Sequence, residues 1–174
     1  MKKLWAIGLS AAFLLTACGE EEAAEPAEAT AGSEGSDDSK EVKQELMKFY
    51  MSIPNTINAV DGDLNAFEMN QAEDTLPEGD ELQAMKDAAI ASAEESAGAI
   101  DSIEIPAPLE EQQETIESAF AAMQESYEMK AEELTKDASF EAAIEKFGEA
   151  DAMLNELLVE QDLAESSIYN EVSQ

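Results

Sequence analysis

The chain has 174 residues, with 41 acidic residues, nine Lys, no Arg and no His, and its formal net charge at pH 7 is −32. Nucleic acid is excluded as an expected partner, because affinity for it depends on cations that neutralise phosphates. The absence of His excludes Ser-His-Asp triads and two-His zinc sites. There is also no Gly-rich phosphate loop and no Ser-x-x-Lys sequence. We therefore predict a protein that is not an enzyme and has no cofactor.

The N-terminus has the pattern of a secretory signal. Lys2 and Lys3 precede an apolar run from Leu4 to Ala17. A run of about 14 residues is shorter than the ~20 that a membrane-spanning helix needs. Residues 1–17 are therefore predicted to be a signal peptide that is removed.

The apolar run ends in Leu15-Thr16-Ala17-Cys18, and Cys18 is the only Cys of the chain. This sequence resembles the lipobox of bacterial lipoproteins. The resemblance implies cleavage between Ala17 and Cys18 and a diacylglyceryl thioether on Cys18, with acyl chains such as palmitate. Two acyl chains are sufficient for stable anchoring, so the expected location is the extracytoplasmic side of the cell membrane. The alternative is a plain signal peptide or a short membrane span with an incidental Cys.

The next segment has the composition of a linker. Residues 19–39 contain eight acids, one Pro, no Lys and no uncharged residue larger than Thr. Such a segment cannot bury enough apolar surface to fold. Residues 18–39 are therefore predicted to be a lipidated Cys followed by a disordered acidic tether, which holds a domain of residues 40–174 away from the membrane.

Apolar residues recur at helical spacing from Lys40 onward, and the first predicted helix covers residues 40–72. Pro54 and Gly62 are unfavourable inside a helix, so we expect one long helix that is kinked near Pro54 and loosened at residues 61–63. Two shorter helices are the alternative. The residues on the apolar face are Val42, Leu46, Phe49, Ile53, Ile57, Val60, Leu64 and Phe67.

Three further helices are predicted at residues 79–103, 109–135 and 139–165. The face of the second helix is Leu82, Met85, Ala89, Ala93, Ala97 and Ile100. The face of the third is Leu109, Ile116, Phe120, Met123, Tyr127 and Leu134. The face of the fourth is Phe140, Ile144, Phe147, Leu154, Leu158 and Gln161.

The ends of the fourth helix follow from local signals. Asp137 or Ser139 is predicted to cap its first turn, because both side chains can accept a backbone hydrogen bond. Residues after Ser166 are expected to fray, or to extend the helix through Ile168 and Tyr169.

Four amphipathic helices with short connections predict an all-α domain, an up-down-up-down four-helix bundle. In this architecture the chain is similar to small exported bacterial lipoproteins with acidic helical domains.

Two patterns suggest binding sites. Asp61-Gly62-Asp63-Leu64-Asn65 matches the start of a calcium loop, but Ala66 and Ala72 stand where the loop needs Gly and Glu. We therefore predict no metal site.

The domain is also rich in Met, and most of these side chains are expected in the core. Met47, Met51 and Met69 lie off the main apolar face and are candidates for exposure.

The leading functional hypothesis is a membrane-anchored, non-enzymatic binding or scaffolding module of the cell envelope, with an envelope protein as partner. The alternative is a ligand-binding or cation-binding lipoprotein. That alternative predicts a cavity between the second and third predicted helices, where Ala-rich faces could leave space. In a third interpretation, the acidity is an adaptation to a saline or alkaline habitat.

Overall fold

A computed structural model describes residues 34–173, with side chains from Ser39 onward. This part of the chain is all-α and contains no strand. The six α-helices are α1 (Glu34–Ile57), α2 (Gly62–Ala72), α3 (Asp80–Asp101), α4 (Gln113–Leu134), α5 (Glu141–Glu160) and α6 (Ile168–Val172). A 3-10 helix, Ala107–Gln112, precedes α4.

Helix α4 is the centre of the domain. It packs along α3 on one side and along α5 on the other, while α2 packs against α3. Helix α1 contacts α3, the 3-10 helix and α6. All six residues of the predicted apolar face of the third helix are buried. This segment therefore packs against several helices at once.

The single long helix predicted for residues 40–72 is two helices, the alternative left open by the sequence. The chain turns at residues 58–61, where the amides of Val60 and Asp61 both donate to the carbonyl of Ile57. This tight turn ends α1, and α2 then begins at Gly62. Pro54 is accommodated inside α1 rather than at its end.

Helix α1 begins at Glu34, six residues before the predicted domain boundary at Lys40. The added segment, Glu34–Ser39, is acidic, and negative charge is favourable in the first turns of a helix because it interacts with the positive end of the helix dipole. The predicted tether and the start of the domain therefore overlap. Residues 18–33 of that tether, and the signal peptide before it, lie outside the described part of the chain.

The predicted cap of the fourth helix is wrong. Helix α5 begins at Glu141 after Phe140, and neither Asp137 nor Ser139 provides a cap. The chain reverses through Ala138, which has a left-handed φ of 55°. Phe140 is buried against Phe67, with ring centroids 6.3 Å apart. Burial of this aromatic ring, rather than a capping side chain, sets where the helix begins.

The predicted fraying after Ser166 is also wrong, and α5 ends at Glu160, before the predicted residue 165. Asp162 adopts a left-handed φ of 53°, and the Leu163 amide donates to the Leu158 carbonyl over 2.9 Å. This is the hydrogen-bond pattern of a Schellman ending. The chain then folds back to form α6.

Helix α6 is held by side chains of α2, of α5 and of the turn after α1. The Asp151 carboxylate accepts hydrogen bonds from the Ser167 hydroxyl at 2.7 Å and from the Ile168 amide at 2.9 Å. Asn58 donates to the Glu171 carbonyl and Asn65 to the Val172 carbonyl. Since Ile168 and Val172 are themselves buried, this C-terminal segment is part of the core.

None of the helices in the described part of the chain has the length and apolar character needed to cross a bilayer.

One residue of the predicted face of the fourth helix is misplaced. Ile144, predicted to face the core, is 39% exposed. Helix α5 instead buries the face that carries Ala143, Phe147, Ala150 and Leu154.

Salt should stabilise this domain. From Lys40 onward it carries 33 of the 41 acids and seven of the nine Lys, which leaves a formal charge of −26. Glu141, Glu145 and Glu149 follow one another at helical spacing and are all exposed, an arrangement that destabilises a helix. The Debye length falls from about 30 Å at 0.01 M salt to about 3 Å at 1 M. We predict that the melting temperature rises by several degrees over this range, measured by circular dichroism. A constant melting temperature would show that the acids do not oppose folding.

Candidate functional site

The predicted lipidation site, Ala17-Cys18, lies outside the described residues. The candidate calcium loop lies within them and is largely helical, because α2 starts at Gly62. Asp61 is buried whereas Asp63 is exposed, so the two carboxylates face different surroundings. Over residues 34–173, no three His, Cys, Asp or Glu side chains are grouped so that they could hold a metal ion.

The least expected feature is a buried cation. Lys130 of α4 is only 4% exposed, although six other Lys lie nearer to solvent in the part of the chain that the structure describes. Its Nζ lies 2.7 Å from Oε1 of Glu68 on α2. Because an unpaired buried ammonium is very unfavourable, this ion pair is what allows Lys130 to lie inside the domain.

Aromatic rings complete the surroundings of Lys130. Its Nζ lies 5.7 Å from the ring centroid of Tyr127, 5.9 Å from that of Phe140 and 5.6 Å from that of Tyr169. These distances are within the range of cation–π attraction. We call Lys130, Glu68 and the three rings the lysine cluster. It joins α2, α4, α6 and the residue that precedes α5.

Asp61 lies close enough to affect the lysine cluster electrostatically. Burial raises the pKa of its carboxyl group, and the Asn65 side chain and the Lys130 charge counteract this rise. Its Oδ2 atom is buried and has no hydrogen-bond partner among the described residues. Burial also raises the pKa of Tyr127 and of Tyr169. Since a raised carboxyl pKa means that ionisation is less favourable in the folded state, Asp61 reduces stability above the ordinary Asp pKa.

The ammonium of the lysine cluster is shielded from solvent. Lys130 and Tyr127 are buried, and the ammonium already contacts a carboxylate and three rings. Lys130 was not among the residues predicted from the sequence, although its spacing from apolar residues indicates burial. It follows Tyr127 by three residues and precedes Leu134 by four, which places it on the buried face of α4. The arrangement suits a structural role better than a catalytic one.

A surface groove is the more accessible candidate. It has a volume of about 560 Å³ and lies between α1 and the chain from the end of α5 to α6. Mainly apolar side chains line it. The lining residues from α1 and the turn after it are Met47, Tyr50, Met51, Pro54, Asn55 and Asn58; those on the other side are Leu158, Leu163, Ala164, Ser166 and Glu171. We call this feature the methionine groove.

The predicted exposure of three Met residues is confirmed. Met47 is 47%, Met51 64% and Met69 55% exposed. Two of them, Met47 and Met51, lie one helical turn apart in the methionine groove. Tyr50, beside them, is mostly buried, and burial raises its pKa to about 12. Flexible Met side chains on an exposed apolar surface can adapt to different partners.

The ligand-binding alternative predicted a cavity between the second and third helices, where Ala-rich faces could leave space. Ala89 and Ala93 are fully buried, so these small residues bring α3 close to its neighbours. A depression of about 690 Å³ does lie at one end of the α3–α4 pair. Its carboxylates, Asp101, Glu104 and Glu117, are all exposed. Solvent therefore screens them, and they do not form a desolvated ligand site.

Comparisons of the chain with protein-family models, curated proteins and solved structures find no match. Of the two features described above, the methionine groove is accessible to a partner and the lysine cluster is not.

The lysine cluster gives a direct test of stability. Lys130→Met removes the cation and leaves the Glu68 carboxylate without its partner, which we expect to cost about 3–5 kcal/mol of unfolding free energy. Adding Glu68→Gln should restore part of that loss, because the side chain that paired with Lys130 is then uncharged. Urea denaturation of a chain that begins at residue 18 and carries Cys18→Ser measures both effects.

Lys136→Met is the matched control for this prediction. Lys136 contacts Glu132 at 2.7 Å, but the pair is exposed, and surface ion pairs contribute little. Its loss should leave the urea midpoint nearly unchanged. Equal effects of Lys130→Met and Lys136→Met, or no recovery in the double variant, would contradict the structural role of the buried pair.

Proposed function

We propose that this chain is an extracytoplasmic bacterial lipoprotein, anchored in the cell membrane by acylated Cys18, whose acidic helical domain binds an envelope protein without catalysing a reaction. The observation that carries the proposal is the sequence Leu15-Thr16-Ala17-Cys18, together with the basic and apolar segment before it. Lipidation of one residue with two acyl chains provides a stable anchor. Residues 18–33 then connect the anchor to α1.

The binding half of the proposal is supported by what the domain exposes. The methionine groove is an accessible apolar surface, and such surfaces often mark sites of protein interaction. The non-enzymatic half is supported by the absence of His from the chain and by the closed surroundings of the lysine cluster. The high negative charge favours protein partners with basic surfaces over nucleic acid.

A finer architecture accompanies this proposal. We infer that α1, α3, α4 and α5, the four longest helices, form an up-down four-helix bundle, to which α2 and α6 are additions. The packing of α4 along both α3 and α5 supports it. In this arrangement the two short helices cover the part of the core that contains the lysine cluster.

Lipidation can be tested by metabolic labelling with an alkyne fatty acid in a bacterial host. The wild-type chain should carry the label, sediment with membranes and start at Cys18 by mass spectrometry. Cys18→Ser should lose the label because it removes the sulfur that forms the thioether. Ala17→Gly is the matched control, since the lipobox accepts Gly at this position, and it should still be labelled. Labelling that persists in Cys18→Ser would refute the anchor.

A further inference from the structure

The methionine groove follows one face of α1. Met47, Met51, Pro54 and Asn58 succeed one another in steps of four, three and four residues. At 1.5 Å per residue, this face is about 16 Å long. Its length corresponds to three turns of a second helix lying beside α1. The opposite wall is formed by Leu158, Leu163 and the segment that leads to α6.

The charge in and around the methionine groove is negative overall, which favours a positively charged partner. No Lys lines it, and Glu171 does. Lys43 of α1 donates a hydrogen bond to the Asp162 carbonyl, and Lys48 is paired with Glu45. The domain as a whole carries a formal charge of −26 from Lys40 onward, so its field attracts basic partners and repels acidic ones.

These charges decide between possible occupants. A second copy of the chain would bring an equally acidic domain to the methionine groove, and an anionic membrane surface is repelled in the same way. Binding of a β-strand needs an exposed strand edge, and residues 34–173 form no strand. A helix that lies in an apolar groove requires only a complementary apolar face.

We propose that the methionine groove binds an amphipathic helix of a partner protein, with apolar side chains packed on Met47 and Met51 and with Lys or Arg residues flanking that apolar face. This inference rests on the proposed function and specifies its partner. The apolar face provides affinity, because the two Met side chains are exposed in the free protein and become buried on binding. The basic flanks provide selection and a faster encounter rate.

The test is fluorescence anisotropy with a labelled peptide of Leu and Lys, about 14 residues long, whose Leu residues fall on one helical face. It uses the chain from residue 18 with Cys18→Ser, so a failure of lipidation does not affect the result. At physiological ionic strength we expect micromolar binding. A scrambled peptide of the same composition should bind about tenfold more weakly, and a Leu/Glu peptide should not bind.

Variants locate the binding site. The pair Met47→Gln and Met51→Gln, combined in one chain, should weaken binding about tenfold, while Met51→Leu retains it because the side chain stays apolar. Ile144→Gln is the matched control: Ile144 is also exposed, but it precedes Leu158 by 14 residues, about 21 Å along α5. Melting temperatures confirm that each variant is folded.

Several outcomes would overturn the proposal. Equal affinity for the scrambled and amphipathic peptides would mean that charge alone is recognised. Unchanged affinity in the double Met variant, or an equal loss in Ile144→Gln, would place the binding site elsewhere. Dimerisation in sedimentation experiments, or binding to zwitterionic vesicles, that depends on Met47 and Met51 would assign the groove to a second copy or to lipid.

Discussion

A buried cation, Lys130, constrains how the helices of this domain pack, because its ammonium must keep Glu68 as its partner. It lies where α2 and α4 meet, and the rings of Phe140 and Tyr169 bring the start of α5 and the segment of α6 to the same ammonium. A buried charge has little tolerance for displacement, because losing its partner costs several kcal/mol. One cation therefore contacts side chains from four segments in a chain that contains few cations.

The sequence predicted the helices better than their ends. Apolar spacing identified the buried faces of α1, α3 and α4, because apolar residues recur at helical spacing over several turns of each helix. The predicted ends of α5 were wrong, because Phe140 and Leu163 obtain their conformations from long-range packing and from left-handed residues at 138 and 162. Helix α6 was missed for a similar reason: Asp151, 17 residues earlier in the chain, holds its first residue.

The sequence predicted the exposed Met residues, but it did not predict the methionine groove or the burial of Lys130. Exposure of Met47 and Met51 was predictable, because both lie off the apolar face of α1. The methionine groove was not, since its second wall is the segment that folds back after α5. Lys130 had a visible signal in its spacing from Tyr127, but its charge suggested a solvated position. Its partner Glu68 is 62 residues away in the sequence, so only the fold brings the two together.

The lysine cluster and the methionine groove are related through α6. Helix α6 contributes Tyr169 to the cluster and Glu171 to the groove, and it contacts both α1 and α5. Packing around the buried cation thus holds one wall of an otherwise open surface. In the proposed lipoprotein, the anchored chain presents this preformed acidic and apolar surface to other proteins of the envelope.

Photo-crosslinking in cells would identify the partner that contacts the methionine groove. A photoreactive amino acid is placed at position 51 of the lipidated chain or, as control, at position 144, and the cross-linked peptides are identified by mass spectrometry. The proposed binding of an amphipathic basic helix predicts an adduct specific to position 51, whose partner peptide has apolar residues at helical spacing flanked by Lys or Arg. Identical adducts from the two positions, or adducts at position 51 with acidic segments or lipid alone, would contradict it.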